Sequence, residues 1–211
     1  MLSKGGENVS ADKEKRELLI DSAKKEFMEK GFMKASLRKI CADAGVTTGA
    51  LYFFFKDKED LFGAIVDKPY NELMEIIRKH NSEDKELMNK PYEHEEGDHD
   101  EFVELIVPHI YGNYDAFVML LTKAQGTKYE NCISDLADEM ESTYTEMTDQ
   151  MSKHYGKKIN KKLLHWIVHM IIDAFVHMIM HEPDEKKAMA HIKKIMNFTM
   201  HGWSAMLFDE K

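Results

Sequence analysis

The chain has 211 residues, with 43% hydrophobic and 32% charged side chains, enough apolar sequence for a packed core and too much for a disordered tail. Its net charge of −9 argues against a general polyanion-binding surface until it is divided along the chain. Residues 1–68 hold 13 Lys+Arg against 12 Asp+Glu, a net +1, whereas residues 69–211 hold 16 against 26, a net −10, so any nucleic-acid surface belongs to the head.

With only 4 prolines and 11 glycines, and no segment of period-two alternation, the chain reads as all-α. Residues 1–11 read as a disordered tail. From Asp12 to Lys30 the apolar residues Leu19, Ile20, Ala23 and Phe27 recur at helical spacing, and Gly31 stops the helix. Ser36 is an N-cap for a short helix whose inner side carries Leu37, Ile40, Cys41 and Ala44. Gly45 supplies a left-handed turn, Val46 plugs the space between helices, and Thr47 caps a second short helix running to about Phe54. Asp57 then caps a long helix with Leu61, Phe62, Ile65, Val66, Leu73, Met74 and Ile77 on one face and Pro69 inside it, where a bend is expected. Two short helices joined by a glycine turn are the layout of a helix-turn-helix, whose second helix enters the DNA major groove.

Residues 81–100 read as an acidic loop. Helices are expected over about 101–111, 114–123, 128–154, 161–181 and 184–208, the last two separated by Glu182-Pro183. Trp166–Met180 is the longest apolar stretch. It is interrupted by His169, Asp173 and His177 and is shorter than the roughly 20 residues a bilayer span needs, so a buried helix is expected. Cys41 and Cys132 make no disulfide framework and point to a reducing, cytoplasmic setting, and the opening MLSKGGENVSADKEKR lacks the apolar run of a signal peptide.

The head resembles the TetR family of bacterial one-component regulators. The resemblance covers about residues 14–66 and rests on FMEKGF at the end of the first helix and on AGVTTGALYFFFKDKEDL, with Gly45, Val46, Thr47, Gly49, Leu51, Tyr52, Phe55, Lys58, Glu59 and Leu61 in the family's order. It implies a helix-turn-helix DNA-binding domain over 12–57 and a helical ligand-binding and dimerisation domain over 58–211. It implies DNA contacts by Ser36, Arg38, Thr47, Thr48, Gly49, Ala50, Tyr52, Phe53 and Lys58: hydroxyls and Lys58 for phosphates, Arg38 for a guanine edge or phosphate, Ala50 for a thymine methyl. Leu51, Phe54 and Phe55 are expected in the core, with Lys39 and Lys56 solvated. Thr48 and Phe53 replace a charge and a polar ring common in relatives, so base readout is expected to lean on shape and methyl contacts.

The resemblance also implies a homodimer through the last two helices, with Met189, Ile192, Ile195, Met196, Trp203, Met206 and Leu207 in the seam, and a small-molecule effector in the body. Candidate lining residues for an apolar effector are Phe102, Tyr111, Phe117, Met140, Tyr144, Met147, Met170, Asp173, Phe175 and His177, with Asp173 as a polar anchor. The 16 methionines of the chain fit an adaptable pocket. His165, His169, Asp173, His177 and His181 recur at every fourth position. Adjacent pairs have metal-ligand spacing, but the row drifts about 40° per step, so five cannot meet one ion and no metal or cofactor is assigned. The expected function is a ligand-responsive repressor binding a double-stranded DNA operator, with a metal- or haem-sensing regulator on the same scaffold as the alternative. A helical-bundle metalloenzyme would need two Glu-x-x-His pairs on helices. The chain has one, Glu96 to His99, in the acidic loop.

Overall fold

The computed structural model describes residues 4–87, 99–155 and 160–207, and among these every regular element is an α-helix. The helices are α1 Lys4–Lys34, α2 Leu37–Asp43, α3 Thr48–Phe54, α4 Lys58–Leu87, α5 Asp100–Gly112, α6 Tyr114–Thr122, α7 Cys132–Tyr155, α8 Lys161–His181 and α9 Glu185–Leu207. Helix α1 is interrupted at Gly31 (φ 73°, ψ 162°), where a stop is expected, and three other boundaries differ from the sequence reading. Helix α1 begins at Lys4, inside the segment expected as a tail: no proline interrupts it, so each residue adds a hydrogen bond once the apolar turns have nucleated the helix, despite Gly5 and Gly6. Helix α4 continues through Pro69 to Leu87, past the expected loop start at residue 81. Helix α7 starts at Cys132, not 128, because Thr127 accepts from the Tyr129 amide at 3.0 Å and donates to the Ala124 carbonyl at 2.7 Å, which holds a turn there. The acidic loop with Pro91, His94, Glu96 and Gly97, the stop at Gly156, and the side chains of Trp203, Met206 and Leu207 lie outside the described residues.

The chain forms two compact units. The first joins Met1–Tyr70 to Asp115–Glu130. Its centre is aromatic: Phe27 and Phe62 meet edge-on with ring centroids 5.2 Å apart, and Phe32 and Phe62 do so at 5.6 Å. Leu19, Ala23, Ile40, Leu51, Leu61 and Val66 complete a core sealed from water. Burying each large side chain contributes about 1.5–3 kcal/mol. The later segment closes one side of this core. The Phe32 amide donates to the Lys123 carbonyl at 2.9 Å, the Lys128 amide donates to Glu59 Oε1 at 2.7 Å, and the Tyr129 ring sits 5.7 Å from Tyr70 and 6.4 Å from Phe62. A head ending at residue 57 is therefore smaller than the unit that folds around it.

The second unit is Asn71–Tyr114 with Asn131–Lys211. Helix α8 packs against α7 and α9, and α5 against α9. Leu164, Ile167, Val168, Ile171 and Ile172 of α8 are buried with Val103, Val107 and Ile110 of α5, Met140 and Met147 of α7, and Ile192 and Met196 of α9. Polar contacts fix the helix ends: Tyr111 Oη donates to the Glu182 carbonyl, Tyr114 Oη to the Ile179 carbonyl at 2.6 Å, and Arg78 binds Glu139 through two nitrogens at 2.6 and 2.8 Å. Among the described residues, Lys162–His181 is the one helical span long and apolar enough to cross a membrane, with mean hydropathy 1.7. It is 39% buried: one side packs against α7 and α9 as expected of a buried helix, and the other side is exposed.

Candidate nucleic-acid interface

The head places two short helices by capping. Ser36, with extended backbone, caps α2 and accepts from the Lys39 amide at 3.4 Å. Its own amide donates at 3.1 Å to Oε1 of Glu26, a carboxylate only 4% exposed on α1, so negative charge sits where the α2 N-terminus is positive. Ser22 Oγ donates to the Ile40 carbonyl at 2.9 Å and ties α1 to α2 a second time. The reversal between the helices uses Gly45 at φ +68°, a backbone state that side chains with a Cβ resist, and the Val46 amide closes it onto the Cys41 carbonyl at 2.9 Å. Thr47 then caps α3 by accepting from the Ala50 amide at 3.2 Å.

This geometry divides α3 into two faces. Leu51 is fully buried and Phe55, just past the helix, is 2% exposed, whereas Tyr52 and Phe53 are 56% and 73% exposed. Thr47, Thr48 and Gly49 are exposed at the start of α3, Ala50 is half-buried, and Ser36 and Arg38 are exposed on α2. Eight of the nine candidate contact residues thus share accessible positions on α2 and α3. Phe54 is half-buried, its ring 5.0 Å from that of Phe53. Lys39 bonds Asp43 at 2.6 Å and lies 3.9 Å from Glu26, and the Asp43 contact pushes its pKa up. Burial pushes the Cys41 thiol pKa up, and a hydrogen bond with Thr48 acts the other way.

Lys58 is placed differently. Its ammonium donates to the carbonyls of Met33 and Ala35 at 3.3 and 3.2 Å and lies 4.6 Å from the Phe32 ring centroid. Desolvation there lowers its pKa. The side chain holds the α1–α2 turn, whose last carbonyls have no helical partner.

The ten candidate lining residues differ in burial and in the unit they belong to. Met140 and Met147 are buried in the second unit, and Phe117 is buried in the first. Phe102, Tyr111, Tyr144 and Phe175 are half-buried, Phe102 stacking on His80 at 4.1 Å. Met170, Asp173 and His177 are exposed on α8. The reason is the direction of packing: α7 and α9 cover the Leu164–Val168–Ile171–Ile172 side, and a helix that is apolar nearly all round does not disclose in sequence which side that is. The outer face also carries Trp166, 68% exposed, and α9 adds Ile195 and Phe198 at 39% and 76%. Phe198 is missing from the seam read in the sequence, though an aromatic three positions after Ile195 on the same helix is the signal for it. His165 and His181 are exposed and His169 half-buried. Ring centroids are 4.5 Å apart for His165–His169 and 4.3 Å for His177–His181, and His165 Nδ1 lies 2.7 Å from Glu141 Oε2. Among the described residues of this one chain, no three His, Cys, Asp or Glu side chains are grouped to hold a metal ion.

A trihelical head with an exposed second helix, on an all-helical chain, defines a helix-turn-helix protein. Residues 19–65 match the family described as "Bacterial regulatory proteins, tetR family", and by that match the head belongs to it. The chain is 41% identical over 64 residues to the HTH-type transcriptional repressor BepR of Brucella suis, covering 29% of this chain and 31% of that protein. It is 46% identical over 52 residues to the HTH-type transcriptional regulator AcrR of Shigella flexneri, covering 25% and 24%. These matches span less than a third of each relative's length. The fold as a whole is similar to a transcriptional regulator of the TerR/AcrR family from Aquifex aeolicus, with a TM-score of 0.58 at 18% identity over 87% of this chain and 98% of that one. It is also similar to the TetR family regulator PfmR of Thermus thermophilus, at 0.55 and 21% over 84% and 96%.

Proposed function

We propose that the protein is a ligand-responsive, DNA-binding transcriptional regulator of the cytoplasm, a repressor that leaves its operator when a small apolar effector binds its body. The carrying observation is the exposed, doubly capped α2–α3 surface presented by a rigid aromatic core, in the segment most similar to a named repressor. Arg38 and the Ser36 and Thr47 caps approach phosphates and base edges, while Gly49 and Ala50 let the α3 backbone come close. Tyr52 and Phe53 offer large contact area without charge, so affinity is modest in its electrostatic part and specificity leans on apolar and shape contacts. The near-neutral head fits that balance.

Two heads are needed to read major grooves about 34–36 Å apart. The outward Trp166, Met170, Ile195 and Phe198 on α8 and α9 support a homodimer through these two helices, since exposed apolar patches of this kind mark interfaces. The effector is assigned to the second unit, and α4, which carries residues of both units along one helix, is one of three covalent links between them. An effector acts only by binding the DNA-incompetent state more tightly. The test is to select duplexes from a random pool with the purified dimer and titrate them at low ionic strength. Failure to enrich any sequence, or an affinity unchanged by Arg38→Ala, rejects the DNA-binding assignment.

A further inference from the structure

The polar row on α8 is palindromic. Its order is His165, His169, Asp173, His177, His181, so the positions on either side of Asp173 are histidines at equal distances along the helix. The row crosses the solvent-facing side of α8 beside Trp166 and Met170, and Asp173 and His177 lie among its exposed residues. It also follows the i±4 ridge of the helix, and two such ridges pack together when helices cross at about −50°.

We propose that, in the dimer, α8 meets its symmetric copy in antiparallel sense across a two-fold axis at Asp173, and that the two ends of the row join to bind a divalent transition-metal ion. In antiparallel packing about that axis, a residue a given number of positions before Asp173 faces the residue the same number after it. His165 and His169 then face the partner's His177 and the partner's His181, giving two equivalent four-imidazole sites per dimer. The inference rests on the dimer of the proposed function, and each chain contributes one pair of histidines to each site.

Three features of the single chain are already those of a ligand set. Both histidine pairs are close, at 4.5 and 4.3 Å between centroids. Glu141 on α7 lies 2.7 Å from His165 Nδ1, the carboxylate–histidine contact that fixes tautomer and orientation in metal sites. The donors are imidazole nitrogens, which suit Zn²⁺, Cu²⁺ and Ni²⁺ over Mg²⁺ or Ca²⁺. Asp173 supplies the electrostatic reason for a cation: two copies of its carboxylate near the axis repel each other, and a divalent ion one turn away on each side offsets that repulsion.

The experiment uses ZnCl₂ as probe on the full chain, with isothermal titration and analytical ultracentrifugation, in chelator and in metal. The expected result is one Zn²⁺ per protomer and a dimer that tightens with metal. His165→Ala/His169→Ala and His177→Ala/His181→Ala should each lose affinity by about 100-fold or more, and Glu141→Ala by roughly 10–100-fold, the usual range for an orienting partner. Mixing the two double variants rebuilds one complete site per heterodimer, so one Zn²⁺ per mixed dimer should return. Zinc binding that persists in both double variants, or no recovery on mixing, overturns the shared site. A dimer in chelator that binds DNA but no zinc overturns this inference alone, whereas a monomer under all conditions also overturns the dimer of the proposed function.

Discussion

Lys58 separates two accounts of the head that differ in measurable numbers. The resemblance casts it as a phosphate contact, whereas its ammonium donates to the Met33 and Ala35 carbonyls at 3.3 and 3.2 Å and covers the Phe32 ring at 4.6 Å. Replacing it by Met keeps the apolar stem and removes the charge. Two hydrogen bonds at the long end of the range contribute about 0.5–1 kcal/mol each, and the cation–π contact about 0.5–1 kcal/mol in a half-buried position. The removed desolvation of the charge offsets part of this, leaving a loss of about 1–2 kcal/mol. For a chain of this length that lowers Tm by roughly 2–8 °C. Neutralising a phosphate contact instead would reduce the slope of log affinity against log salt by about 0.9. Thermal unfolding by circular dichroism and a salt series of duplex binding therefore give opposite patterns. Lys58→Met should lower Tm and leave the salt slope alone, and Arg38→Ala should do the reverse. A Lys58→Met protein with unchanged Tm and a slope reduced by about one would refute the anchoring role.

Three further outcomes follow from the geometry. Gly126 has φ +84°, and a Cβ there would run into Met33 Sδ; Gly126→Ala should lose about 1–2 kcal/mol from the backbone strain alone, read by urea unfolding, and Met33→Ala should restore only the steric part. Burial and then the neighbouring His99 push the pKa of His80 down to about 4 from its ordinary 6.5. The unfolded chain therefore takes up a proton between these values that the folded chain refuses, so stability is full above about pH 6.5 and falls as pH drops toward 4. His80→Gln should narrow the stability difference between pH 7 and pH 5 by about 1–2 kcal/mol, and an unchanged difference would show that His80 does not titrate in this way. Phe198→Glu places a charge on a 76%-exposed aromatic site, so it should leave helical content unchanged while shifting the protein from dimer to monomer in size-exclusion chromatography.

The head was legible because its sequence signals are local. Ser36 and Thr47 cap the helices as their residue type dictates, and Gly45 takes the positive φ that its place between two helices demands. The bounds of α3 and α8 and the inner face of α4 were likewise readable from periodicity. What sequence could not supply was direction and long-range closure. Nothing in the spacing of Met170, Asp173 and His177 says that α7 and α9 cover the opposite side of α8. The engagement of Lys58 by carbonyls 23 and 25 positions earlier is equally invisible in the linear pattern. Tyr129 reads as one more helical residue until its packing against Phe62 and Tyr70 is seen.

That last packing limits how the protein can be cut and recombined. A fusion joint at residue 70 would graft caps and recognition helix onto a new body but leave Phe32 and Phe62 without the Lys123–Tyr129 segment that packs on them. A chimera meant to exchange operator preference between two such proteins must transplant two separated stretches of polypeptide, since the reading surface rests on a foundation that returns to it some fifty residues later.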